Sequence, residues 1–334
     1  MNKTLLLCAI TLLLTLSNIS KSYATNSLIQ SALQFFQPMP DKMTGSEADT
    51  KQQQALGEKL YFETALSINQ TQSCNSCHNI INNAAGVDNL KVSVGALGKL
   101  GTRNSTSTWN AGMHVAQFWD GRAKTLEAQV AFPLFDIKEM AMPSENEVLT
   151  RLINKGYLTE FKQAFPQQAY PEQEQPISIQ NISQALAAFQ RTLITRDRLD
   201  EYLKGDEAAI TQAEKIGLNT FIAKGCVACH NGPLLGSRLF MKMGIVHPYP
   251  NKIDKGVGDI TKNPGDNYFF KVPSLRNVLN TAPYFHDGAA ITIEQAIEDT
   301  GWHQLGIRLT AEETSQIKAF FNTLNNKARV VTSQ

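Results

Sequence analysis

The chain has 334 residues, a formal charge of +1 and 42% hydrophobic residues, enough for about two domains and with no electrostatic footprint for nucleic acid. Its five cysteines are too few for a disulfide framework once their spacing is considered, because four fall into two copies of C-x-x-C-H.

Lys3, the apolar run Leu5 to Leu16 and Ser22-Tyr23-Ala24 read as a cleavable signal peptide over residues 1–24, too short to span a bilayer. Cleavage removes Lys3 and Lys21 and no acidic residue, so the remainder stays near neutral. Cys8 lies in the apolar core of this leader. It is preceded by Leu7 where a lipoprotein anchor needs a small residue, so the expected location is the periplasm. Ala55 to Phe62 predicts a short helix leading into Cys74-Asn75-Ser76-Cys77-His78. In this signature two thiols three apart lie on one helical turn and bond the haem vinyl groups, and the next residue offers its imidazole to the iron. Cys74 and Cys77 are therefore attachment residues and His78 the proximal ligand, with zinc or a redox dithiol as alternatives.

Residues 82–110 are rich in Gly, Asn, Ser and Thr without periodicity, the pattern of a long functional loop. Ser144 to Glu147 forms a capping box ahead of Val148, Leu149, Leu152 and Ile153. The Pro-, Gln- and Glu-rich stretch from Tyr170 to Ile179 reads as a surface linker, which places a domain boundary near residue 180. Ile182 to Leu203 predicts one long amphipathic helix. Thr211 and Glu214 cap another, leading to the second copy, Cys226-Val227-Ala228-Cys229-His230, with Cys226 and Cys229 as attachment residues and His230 as ligand. Gly232 to Gly265 is loop-like. Thr292 with Gln295, and Thr310 with Glu313, open the last two helices. Strand alternation is nearly absent. The expected fold is mainly α, with two cytochrome c-like domains, 25–180 and 181–334, each carrying one covalent haem and joined with long irregular loops.

The segments Gln117-Phe118-Trp119-Asp120-Gly121-Arg122, Thr102-Arg103-Asn104, Lys138-Glu139-Met140 and Phe270-Lys271-Val272-Pro273-Ser274-Leu275-Arg276-Asn277, running on to Tyr284-Phe285-His286-Asp287-Gly288, accompany the two haem motifs. Together they resemble the bacterial dihaem cytochrome c peroxidases, the superfamily that includes the MauG-type maturation enzymes. The resemblance implies a peroxide site at the N-terminal haem and an electron-entry site at the C-terminal one, served by a small cytochrome c or cupredoxin. It implies Glu139 and Gln129 as distal catalytic groups and Trp119 as the bridge between haems; a solvated carboxylate and plain core packing are the ordinary alternatives. Arg122, Arg276 and His286 become propionate partners. Asn104, with the carbonyls of Thr281 and Pro283, becomes a calcium site. A homodimer is the family's habit.

Two positions depart from the family pattern. Ala96, in the loop Ser93 to Gly98, stands where many members carry a distal His that closes the oxidised peroxide haem. Alanine cannot ligate iron, so that haem is expected to be open without reductive activation. At the second haem, Thr300 stands where peroxidases have Met and the MauG type has Tyr. His303 is the first candidate for the vacant sixth position, Met241, Met243, His247 and Tyr268 are others, and an open or water-ligated iron is the remaining alternative. His114 is read as non-ligating. The leading expectation is a periplasmic peroxidase reducing hydrogen peroxide to water; a MauG-type enzyme acting on a partner protein and a dihaem electron carrier are the competing readings.

Overall fold

The computed structural model describes residues 28–82, 84–166 and 175–327. The leader, Cys8 and part of the linker after Tyr170 lie outside the described residues. The chain is mainly helical, as its capping residues predict. Helix α1 (Lys51–Phe62) starts on Thr50, whose side chain accepts from the Gln53 amide in a full capping box. Next come α2 (Leu126–Phe135), α3 (Glu145–Asn154) on Ser144, α4 (Leu158–Ala164) and α5 (Ile179–Gln190). The second half carries α6 (Arg198–Leu203), α7 (Gln212–Ala223) on Thr211, α8 (Ile293–Thr300) on Thr292 and α9 (Ala311–Phe321) on Thr310. Two three-residue strands, Phe240–Lys242 and Phe269–Lys271, pair antiparallel with Met241 opposite Phe270.

Two apolar clusters organise these helices, and they share one device. In the first, α5 crosses α1 at Gly57, where a Cβ would lie 1.9 Å from the Ala185 carbonyl oxygen. In the second, α9 crosses α7 at Gly217, where a Cβ would lie 2.0 Å from the Gln316 carbonyl oxygen. Only glycine allows backbones to approach so closely. Each crossed helix precedes a C-x-x-C-H segment, so the weak internal repetition of the sequence has a structural counterpart.

The clusters do not divide at residue 180. Helix α5 buries Ile182, Ala185, Leu186 and Phe189 in the first cluster, which extends to Leu193. Residues 28–36 return to the second cluster, where Phe36 meets Phe221 and Phe320 at ring separations of 6.4 and 6.5 Å. The expected helix from Ile182 to Leu203 is also two. Arg191 ends the first part and is drawn into ion pairs with Asp49 (2.6 Å) and Glu127 (2.7 Å). Asp197 then caps α6 through a capping box with Asp200.

Candidate haem sites and the cavity between them

Cys74–Cys77 is a single helical turn whose entry is fixed by Ser73 and Ser76, with the Ser73 amide donating to the Ser76 hydroxyl at 3.0 Å. His78 follows at the turn's end. The Tyr61 hydroxyl of α1 donates to its carbonyl at 2.6 Å. Its Nδ1 lies 2.9 Å from the Thr106 carbonyl, a contact that needs the proton on Nδ1 and leaves the Nε2 lone pair for a metal. Burial lowers the pKa of His78 and keeps the imidazole neutral. Burial also pushes Cys74 up to about 12 and Cys77 up to about 11. Among the described residues no three His, Cys, Asp or Glu side chains converge to hold a metal ion, which disfavours the zinc alternative.

Glu139 and Ala96 are neighbours in space. The Ala96 amide donates to the Glu139 carbonyl at 2.7 Å, and Asn69 Nδ2 donates to the Ala96 carbonyl at 2.6 Å. The contact requires Gly95, since a Cβ there would lie 2.0 Å from the Lys138 carbonyl oxygen. The loop carrying Ala96 is thus seated on the backbone of Lys138 and Glu139. Glu139 has a raised pKa, from burial first and then Asp136, opposed by Arg122, and its charge acts on both Cys74 and Cys77. The Arg122 guanidinium lies 3.5 Å from the centre of the Phe118 ring and pairs with Asp120 at 3.0 Å. Gln129 sits on α2, one turn before Phe132, whose ring packs edge-on against Phe118.

The second motif turns through Cys226–Ala228, entered from Gly225 in the left-handed region. His230 repeats the arrangement of His78: its Nδ1 lies 2.9 Å from the Leu235 carbonyl, and burial lowers its pKa. Cys226, Cys229 and His230 line a partly open cavity with mostly apolar walls from α7, α8 and α9. An apolar slot beside two thiols and a neutral imidazole fits a covalently held haem.

Arg276 and His286 reach the same cavity. Arg276 is fully buried and ion-paired to Asp197 (2.5 Å) and Asp200 (2.9 Å). His286 stacks on Phe270 at 4.0 Å and stands edge-on to Trp119 at 6.4 Å. Trp119 also lines the cavity, and its indole N–H donates to the Asn104 carbonyl at 2.9 Å. Asn104 donates its backbone N–H to the His286 carbonyl at 2.8 Å and its Nδ2 to Leu90, which leaves Oδ1 for a cation. Thr281 and Pro283 share this wall. An amide oxygen with main-chain carbonyls is a neutral, hard donor set that fits calcium when waters complete the shell.

The structure reorders the candidates for the sixth position. Thr300, Met241 and Met243 line the cavity, whereas His303, His247 and Tyr268 are not on its wall. His303 lies in the π-helical turn Gly301–Leu305, with Nδ1 2.9 Å from the His247 carbonyl and its ring edge-on to Tyr249. His247 is stacked on Trp302 at 3.7 Å, and Lys252 lies over the Tyr268 ring at 4.6 Å. His114, read as non-ligating, does line the cavity, beside Lys271 from a strand 157 positions away in sequence. In the sequence Lys271 is one residue of the Phe270 to Asn277 segment, and nothing in its neighbours signals this pairing.

The model of the di-haem cytochrome c peroxidase family matches residues 51–208. The chain is 41% identical to the cytochrome c551 peroxidase of Nitrosomonas europaea, over 80% of this chain and 78% of that protein. It is 37% identical to the cytochrome c551 peroxidase of Pseudomonas aeruginosa, over 94% and 92%. Among solved structures it is similar to a MauG-like protein associated with microbial copper homeostasis, with a TM-score of 0.73, 30% identity and coverage of 86% and 94%. The chain belongs to the di-haem cytochrome c peroxidase family and is an oxidoreductase of the peroxidase type.

Proposed function

We propose that the protein is a periplasmic dihaem peroxidase that reduces hydrogen peroxide to water with electrons from a small cytochrome c or cupredoxin. The observation that carries this reading is Glu139, whose charge acts on both cysteines of the first C-x-x-C-H turn and whose backbone carbonyl accepts from Ala96. Haem bound covalently at each motif supplies the iron that exchanges electrons with peroxide and with the donor. Cleavage of the O–O bond needs a proton taken from one oxygen and returned to the other. Glu139 does this, partly buried and with a pKa raised toward the working range. Gln129 is the second polar group on this side. Trp119, in van der Waals reach of the inter-haem cavity, carries electrons from the second site to the first, and calcium held by Asn104, Thr281 and Pro283 fixes the wall through which they pass. Because Ala96 cannot ligate, the first site accepts peroxide in the oxidised protein.

A MauG-type activity on a partner protein is the second reading. Ala96 and the similarity to a MauG-like structure favour it; Thr300, where that type needs a phenolate, opposes it. Peroxide-dependent oxidation of reduced cytochrome c is the deciding assay. Wild type is expected to turn over, and Glu139→Gln to lose about 100-fold or more in kcat while keeping both haems. Unchanged turnover in Glu139→Gln would remove the residue from the mechanism, and no turnover in wild type would favour the protein-directed enzyme or an electron carrier.

A further inference from the structure

Lys271 is 2% exposed, and no carboxylate pairs with it among the described residues. Its Nζ donates to the Ala116 carbonyl at 2.7 Å and lies 3.1 Å from His114 Nδ1. An ammonium donates only, so His114 Nδ1 accepts and the ring proton sits on Nε2. That Nε2 is buried without a partner. So is the hydroxyl of Ser237, a residue 0% exposed. Lys271, His114 and Ser237 all line the cavity of the second motif. Ser237 is tied to both of the others' segments: its amide donates to the Val272 carbonyl, and its carbonyl accepts from Val115 at 2.8 Å. A buried cation without a counter-charge and two donors without acceptors are each costly, and native proteins rarely keep three in one wall unless something answers them. The nearest carboxylate that acts on Lys271, Asp120, is already shared by Arg103 and Arg122.

We propose that Lys271, His114 and Ser237 form a carboxylate-binding pocket that receives an anionic side chain of the group filling this cavity. On the haem reading, on which this inference rests, that side chain is a propionate of the second haem. The pocket is separate from Arg276, whose guanidinium is committed to Asp197 and Asp200. With the carboxylate in place Lys271 stays charged, although burial alone drags it down to about 7. A fixed positive charge at the propionate favours the reduced haem, so the pocket raises the potential of the second site.

The test is a spectroscopic redox titration of the holoprotein. Lys271→Met, close in shape and able to fill the same space, should lower the midpoint potential of the second haem and leave the first unmoved. Lys271→Arg should restore it. His114→Leu should shift the same potential in the same direction by less, and His114→Gln should recover it; this pair decides the matter if Lys271→Met does not fold. Equal potentials in wild type, Lys271→Met and His114→Leu would overturn the proposal, as would equal shifts in Lys271→Met and Lys271→Arg. Haem content separates the two levels of inference: two haems per chain with unmoved potentials defeats the pocket alone, whereas an absent second haem defeats the haem reading beneath it.

Discussion

At the residue scale, Glu139 ties the chemistry to a measurable pH dependence. Its folded pKa is raised, chiefly by burial and secondly by Asp136, while Arg122 pulls it down. The base form therefore fails at a higher pH than an ordinary glutamate would, and the acid limb of kcat/KM for peroxide should lie above the usual carboxylate range. Arg122→Gln removes the positive charge that favours the carboxylate, so the limb should move further up in pH. A limb that moves down, or stays fixed, would show that another group controls it. The sequence alone could not rank Glu139 above a solvated loop carboxylate. Its backbone partner Ala96, itself held by Asn69, comes from a segment far away in the chain and carries no local pattern.

At the scale of elements, the capping residues were the most readable part of the chain. Ser144, Thr211, Thr292 and Thr310 each accept from a backbone amide at the start of a helix, whereas the Thr50 cap went unread and the first helix starts at Lys51 rather than Ala55. The break between α5 and α6 was not readable, because it depends on Arg191 reaching Asp49 and Glu127 across the fold. The glycine crossings were equally hidden, since Gly57 and Gly217 look like weak points in helical patterns until the opposing carbonyl is seen. Gly57→Ala and Gly217→Ala should each cost about 1–3 kcal/mol in denaturant unfolding, as overpacking does. A neutral result at either would mean that the helices part without penalty. Arg276 gives a larger effect. Its replacement by Gln leaves Asp197 and Asp200 buried without their cation, and should cost about 3–5 kcal/mol. Burial already raises the pKa of Asp197, a shift that weakens the fold as pH rises through the value for the folded chain, so the Arg276→Gln deficit should grow from acid to neutral pH.

At the scale of the whole molecule, each of the two helix-crossed clusters packs against the first cysteine of a C-x-x-C-H turn, and Trp119, His286 and Asn104 line the cavity at the second turn. The haem motifs and the family segments made this architecture legible, because covalent haem chemistry demands a fixed local spacing. The sixth ligand of the second site was not legible, because it depends on which side chain a loop turns inward. His303 Nδ1 faces the His247 carbonyl, and Thr300, Met241 and Met243 line the cavity. The claim on which the account turns is that Ala96 leaves the first haem open. An electron paramagnetic resonance spectrum of the fully oxidised protein, taken before any reductant is added, tests it directly. A high-spin ferric signal that disappears in Ala96→His is the expected result. Two low-spin signals with no high-spin iron in the wild-type protein would contradict it, and would place a ligand from elsewhere in the chain over the first haem.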